Sequence, residues 1–200
     1  MAETVYPIDE RDTITDLADL PRACAGAPAP LVLADEDILL LSYLMPASVA
    51  GEHDQKRSVA VVQFHHPLMH LLGPPNDEAI QGHPLWRRGL ESYGAYQVND
   101  SSLLRRVAAM NYVHPRNNPA AFDRFHHYII TFHDSTFECL AESYTFSIHE
   151  MPTEGDRYAY MTNVLRTRDE RWRSEMHSQH KAPVGVRLRW WLSALNPWAD

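Results

Sequence analysis

Apolar and polar positions alternate most regularly between Phe125 and Ile148, where Phe125–His133 and Thr136–Ile148 read as two long strands around Asp134-Ser135. With those two residues as the loop, His133 faces Thr136, Phe132 faces Phe137, Thr131 faces Glu138 and Ile130 faces Cys139. Ile129 then faces Leu140, Tyr128 faces Ala141 and His127 faces Glu142. This sorts Phe132, Phe137, Ile130, Cys139, Tyr128 and Ala141 onto one apolar face, the expected core side. The other face carries His133, Thr131, Thr136, Glu138, His127 and Glu142, interrupted by Ile129 and Leu140. A one-residue slip would mix the two sets, so the apolar face itself supports the register.

Upstream, Leu31–Ala34 and Ile38–Met45 flank the polar turn Asp35-Glu36-Asp37 and predict a hairpin, with Ser58–Phe64 as a third strand. His65-His66-Pro67 ends that strand, because proline cannot donate to a ladder, and Leu68–Leu72 is a candidate fourth. Gly73-Pro74-Pro75-Asn76 breaks the chain, Asp77 is placed to cap a short helical turn through Gln81, and Glu91 to Val98 reads as a strand entered through Gly94. Ser101 or Ser102 caps the main helix, from about 101 to 113. Its apolar face is Leu103, Leu104, Val107, Ala108 and Met110, with Arg105 and Arg106 opposite. His114-Pro115 stops it, and Asn118-Pro119 opens another short helix. From Asp156 onward Tyr158, Met161, Leu165, Trp172 and Met176 fall near one helical face among arginines.

The pattern predicts an α+β fold: a curved antiparallel sheet of six or seven strands, barrel-like in the limit, with one main helix. An acidic N-terminal arm spans 1–27, the core domain 28–152, and a basic amphipathic helix with a Trp-rich tail 153–200. The chain of 200 residues is long enough for one sizeable core, and its 44% hydrophobic content places it among globular proteins.

Charge then narrows the partners. A net charge of −8 argues against general nucleic-acid binding, which needs a surplus of Lys and Arg to neutralise phosphates. Residues 1–54 carry 11 acidic and 2 basic side chains, whereas 157–189 carry 8 basic and 3 acidic, so the head can lie against the tail of the same molecule. Residues 157–198 are otherwise the expected surface for a protein partner or self-association. Sixteen of the 18 basic residues are Arg, as a GC-rich bacterial coding sequence would give. Cys24 and Cys139 occur in no metal or disulfide spacing. The first residues form no secretory signal and no run approaches a membrane span, so a cytoplasmic location is expected.

Histidine is the compositional excess that suggests chemistry: 12 in the chain, nine of them between His65 and His149. His133, Glu138 and His127 on the polar face of the long hairpin are the candidate acid–base residues, with His133 diagonal to Glu138 and His127 opposite Glu142. The competing reading of that face is the wet side of an antiparallel sheet. His65, His66, His70, His83, His114 and Glu142 are the candidate binding residues, delivered by strand ends and loops. Their spacings match no metal-ligand pattern, no nucleotide-binding signature is present, and no particular cofactor is implied. Cys139 is expected to be a buried structural thiol. These features favour a small enzyme acting on a small molecule by His/Glu acid–base chemistry, with or without a metal. The alternative is a non-catalytic, inhibitor- or immunity-type binding protein.

Overall fold

The computed structural model of the protein describes residues 8–46 and 58–180, with side chains to Arg168 in the last helix. Its elements, in chain order, begin with β1 Thr13–Asp16, β2 Leu31–Ala34, β3 Ile38–Leu44, β4 Ser58–His65 and β5 Met69–Gly73. After two 3-10 turns, Ile80–Gly82 and Trp86–Arg88, come β6 Ala95–Asn99 and α1 Ser102–Met110. Two further 3-10 turns, Asn111–Val113 and Pro119–Phe122, lead to β7 His126–Thr131, β8 Thr136–Ala141, β9 Ser143–Glu150 and α2 Glu154–His180. The fold is α+β. Among the described residues nine strands form two open antiparallel sheets, ordered β1-β6-β7-β8-β5 and β2-β3-β4-β9, where the sequence pattern predicts one sheet.

One strand run of the sequence divides between the sheets and two successive strands part at the same corner, which is why one sheet becomes two. The run Thr136–Ile148 breaks at Glu142: β8 belongs to the first sheet and β9 to the second, and Glu142 donates its N–H to His65 O at 3.0 Å. At the same corner β4 leaves the second sheet through His66, at φ 50°, and β5 enters the first. Strands that change sheets at a bend let two short sheets stack over a shared core. That core joins Leu39, Leu41 and Tyr43 of β3 and Ala60, Val62 and Phe64 of β4 to Tyr128, Ile130, Phe132, Phe137, Cys139 and Ala141 of the β7–β8 hairpin. Phe64 lies 5.5 Å from both Tyr128 and Phe137, ring centroid to centroid, and Tyr43 lies 5.3 Å from Phe132. Each such buried side chain contributes roughly 1.5–3 kcal/mol.

The apolar face of the hairpin is therefore the expected one, but the register is not. Thr131 pairs with Thr136, Ile129 with Glu138 and His127 with Leu140, two residues away from the predicted pairing. Phe132 N–H bonds to Ser135 O at 2.8 Å, so the turn residues are His133-Asp134. A slip of two preserves both faces, because side chains repeat every second residue.

The other face of the hairpin is not the wet side of a sheet. His127, Ile129, Thr131, Thr136, Glu138 and Leu140 are all buried there. Ile129 packs with Ile80, Leu85, Leu90, Tyr96 and Val98, which brings the 3-10 turns onto this face. The acidic segment 1–27 supplies β1, which pairs with β6, and Asp12, which accepts Ser102 N–H at 2.6 Å and Ser102 Oγ–H at 2.7 Å. With Ser101 Oγ accepting Leu104 N–H at 3.1 Å, two acceptors serve donors that helix geometry leaves unpaired at the α1 N-terminus. Met110 is 67% exposed rather than part of the apolar face, because α1 gives way to a 3-10 turn just after it.

Residues from Tyr158 onward form a second unit. In α2 Met161 is buried, Val164 and Leu165 are half-buried, and Tyr158, expected on the apolar face, is 52% exposed. The side chains of Trp172 and Met176, and the whole of 181–200, lie outside the described residues, and with them most of the predicted partner surface 157–198. No helix among the described residues is long and apolar enough to cross a membrane.

Candidate functional site

Glu138 lies mid-strand in β8, and the observed register makes His127, not His133, its diagonal neighbour. His127 Nε2 lies 2.9 Å from Glu138 Oε2. The second carboxylate oxygen, Oε1, is 3.3 Å from Nε2 of His83, which arrives from the loop between the 3-10 turns. Exposure is 1% for His127, 5% for His83 and 6% for Glu138, so all three are removed from water and each polar atom needs a partner.

The outer nitrogens settle the protons. Leu85 N–H donates to His83 Nδ1 at 3.1 Å, which places the proton of the neutral ring on Nε2, toward Glu138. Ser101 Oγ, which accepts from Leu104, lies 2.9 Å from His127 Nδ1, and because the carboxylate can only accept, His127 likewise directs Nε2–H at it. A buried carboxylate thus receives one imidazole donor on each oxygen. One imidazole is held by a helix cap and the other by a tight turn.

Beside this network lies a cavity of about 400 Å³, lined by Met69, Leu71, Leu103 and Leu140 with His70, Arg106, Glu138 and Cys139. Alternation along β5 and β8 directs Met69, Leu71 and Leu140 to the same face as Glu138, since Leu71 pairs with Glu138 and Met69 with Leu140. Leu140 lines this cavity, whereas Ile129 packs into the second core.

His133, expected beside Glu138, belongs to another cluster. At the hairpin turn its Nδ1 lies 2.9 Å from Asp77 Oδ2 and 3.0 Å from Tyr93 Oη, and Tyr93 Oη–H donates to the same Asp77 oxygen. The hydrogen bond and charge of Asp77 raise the His133 pKa above its ordinary value, while the bonds from Tyr93 and His133 hold Asp77 below its own. Bonding to Asp77 pushes the Tyr93 phenol up to about 12. Asn76, not Asp77, caps the following turn through Ala79 N–H at 3.0 Å.

The remaining candidates are dispersed. His65 is 3.3 Å from Thr145 Oγ1, with its pKa lowered by burial and by His66. His66 is 4.0 Å from Glu142, which also sits 4.0 Å from Arg124 Nε; the predicted His127–Glu142 pairing is lost with the register. His70 is exposed on β5 and reaches the cavity rim, and His114 accepts Arg116 N–H at the end of a 3-10 turn. Among the described residues no group of three or more His, Cys, Asp or Glu side chains is arranged to hold a metal ion. Cys139 is buried in the inter-sheet core, which pushes its thiol pKa up. Tyr93 and Arg106 were not singled out by sequence. A tyrosine at φ 60° and an arginine on a cavity wall leave no periodic signal.

Compared with known proteins, the chain matches no family model, and no curated protein or solved structure shows significant similarity to it.

Proposed function

We propose that this protein is an enzyme acting on a small molecule, in which Glu138 takes a proton from the bound compound and returns it. The observation that carries this reading is the buried His83–Glu138–His127 arrangement at the edge of an apolar cavity. A carboxylate oxygen accepts more than one hydrogen bond, so an oxygen already bonded to an imidazole can still approach a substrate proton. His127 and His83 orient the carboxylate, and Ser101 and Leu85 orient the imidazoles; this supplies the preorganisation that proton transfer requires.

A second reading, a non-catalytic binding protein, draws on apolar side chains exposed along two edge strands. These are Met69, Leu71 and Leu72 on β5, and Phe146 and Ile148 on β9. Proton NMR in D2O, with a pool of small oxo, hydroxy and carboxylic compounds, separates the two. The enzyme incorporates deuterium into, or consumes, at least one component, and Glu138→Gln does not. A compound that binds without exchange or turnover moves the assignment to the binding protein.

A further inference from the structure

The cavity beside Glu138 has one charged wall that the proton-transfer reading does not use. Arg106 lines it from α1, and among the described residues no hydrogen bond, ion pair or ring contact engages its guanidinium. The neighbouring arginine differs: Arg105 is 2.5 Å from Asp9 and also bonds to the Asp100 carbonyl. Met69, Leu71, Leu103 and Leu140 make up its apolar part, which offers a ligand body contact but no hydrogen bonds, and His70, Glu138 and Cys139 complete the lining.

We infer that this cavity binds a small amphiphilic monoanion, a carboxylate carrying a medium-length alkyl chain or a single aromatic ring. Its head lies on Arg106 and its apolar body against Leu103, Leu140, Met69 and Leu71. The inference rests on the reading of Glu138 only for what happens after binding. Arg106 and Glu138 line the cavity from different elements, α1 and β8. The N-terminus of α1 is tied to the network through Ser101 and His127, whereas Arg106 follows Ser102 by four residues, about 6 Å along the helix axis. In the proposed pose the head is held at Arg106, and the body rather than the charge extends toward Glu138. A guanidinium pairs with a carboxylate through two parallel N–H bonds, which is why the class is a planar carboxylate.

The test titrates the full chain with octanoate, octan-1-ol and inorganic phosphate, following Leu and Met methyl shifts by NMR and affinity by calorimetry. Octanoate should saturate with shifts at Met69, Leu71, Leu103 and Leu140, and bind at least ten-fold more tightly than octan-1-ol. Arg106→Gln should weaken octanoate about ten-fold without affecting octan-1-ol, and Arg106→Lys should restore part of the loss. Position 106 is exposed on the helix, so an unchanged melting temperature is expected of both variants and verifies that they fold. Equal affinity for acid and alcohol, no effect of Arg106→Gln, or methyl shifts elsewhere would overturn the proposal. Tight phosphate binding without methyl shifts would also overturn it, by reducing the site to a surface cation. Octanoate binding by Glu138→Gln, in a protein that turns nothing over, would leave the anion site standing and remove the acid–base reading. Turnover of neutral compounds alone, with octanoate ignored, would do the reverse.

Discussion

His127 Nε2 lies 2.9 Å from Glu138 Oε2 across the β7–β8 ladder, and both side chains are buried. A buried carboxylate without donors would be costly, so the imidazoles are structural whether or not they also serve chemistry. His127→Phe keeps an aromatic ring, larger than imidazole, and removes one donor to Glu138. The expected loss is about 2–3 kcal/mol in urea unfolding. A loss below about 0.5 kcal/mol would show that the pair contributes no more than an exposed one.

Ser101 serves both α1 and His127. Ser101→Ala should cost about 1–2 kcal/mol, the usual worth of an N-cap with the orphaned Nδ1 added. Hydrogen exchange at Leu104 and slowed or lost deuterium incorporation would report the two roles separately. If only the first changes, His127 needs no help from Ser101.

Phe132 is 1% exposed and packs on Tyr43 between the sheets. Phe132→Ala is expected to lose about 3–5 kcal/mol, as large-to-small core changes do. Denaturant melts showing less than about 1 kcal/mol would place the core on the other face of the hairpin.

Gly94 has the Tyr96 ring folded back over it, and a Cβ there would collide with the phenol, whose oxygen accepts Glu91 N–H at 3.3 Å. Tyr96 is buried, so the ring has little room to yield. Gly94→Ala should cost about 1–3 kcal/mol by overpacking. Gly94→Ala, Tyr96→Phe should recover part of that loss, and an unchanged melting curve for the single variant would mean that the ring moves at no cost.

The His133–Asp77 pair gives stability a pH dependence of known sign. His133, raised from 6.5, contributes stability that is full below that value and lost as pH rises through the folded-state pKa. Asp77, lowered from 3.8, contributes above that value and loses its contribution as pH falls through the folded-state pKa. Both contributions are present together between about pH 4 and pH 6.5. NMR titration should put the His133 midpoint above the ordinary range, with Asp77→Asn returning it. A His133 midpoint unaffected by Asp77→Asn would leave the raised pKa to Asp134 and Glu78, the other acidic groups acting on the ring.

Strict alternation over Phe125–Ala141 determined which hairpin side chains enter the core, because a pleated strand directs every second residue to the same face. Tyr128, Ile130, Phe132, Phe137, Cys139 and Ala141 all arrive there. Local chemistry likewise set the start of α1 at Ser101 or Ser102, of which Ser101 is the cap, and the Asn118-Pro119 turn, since caps act within a few residues. The same period of two could not fix the register, as a shift by two leaves the pattern intact; turn geometry decided it, and moved Glu138 from His133 to His127. Alternation was equally silent on what would cover the second face. His83 reaches Glu138 from 55 residues away, and the turns carrying Ile80 and Leu85 bury what reads locally as a wet surface. Such encounters depend on how separate elements pack, and no window of the chain short enough to show a period contains both partners.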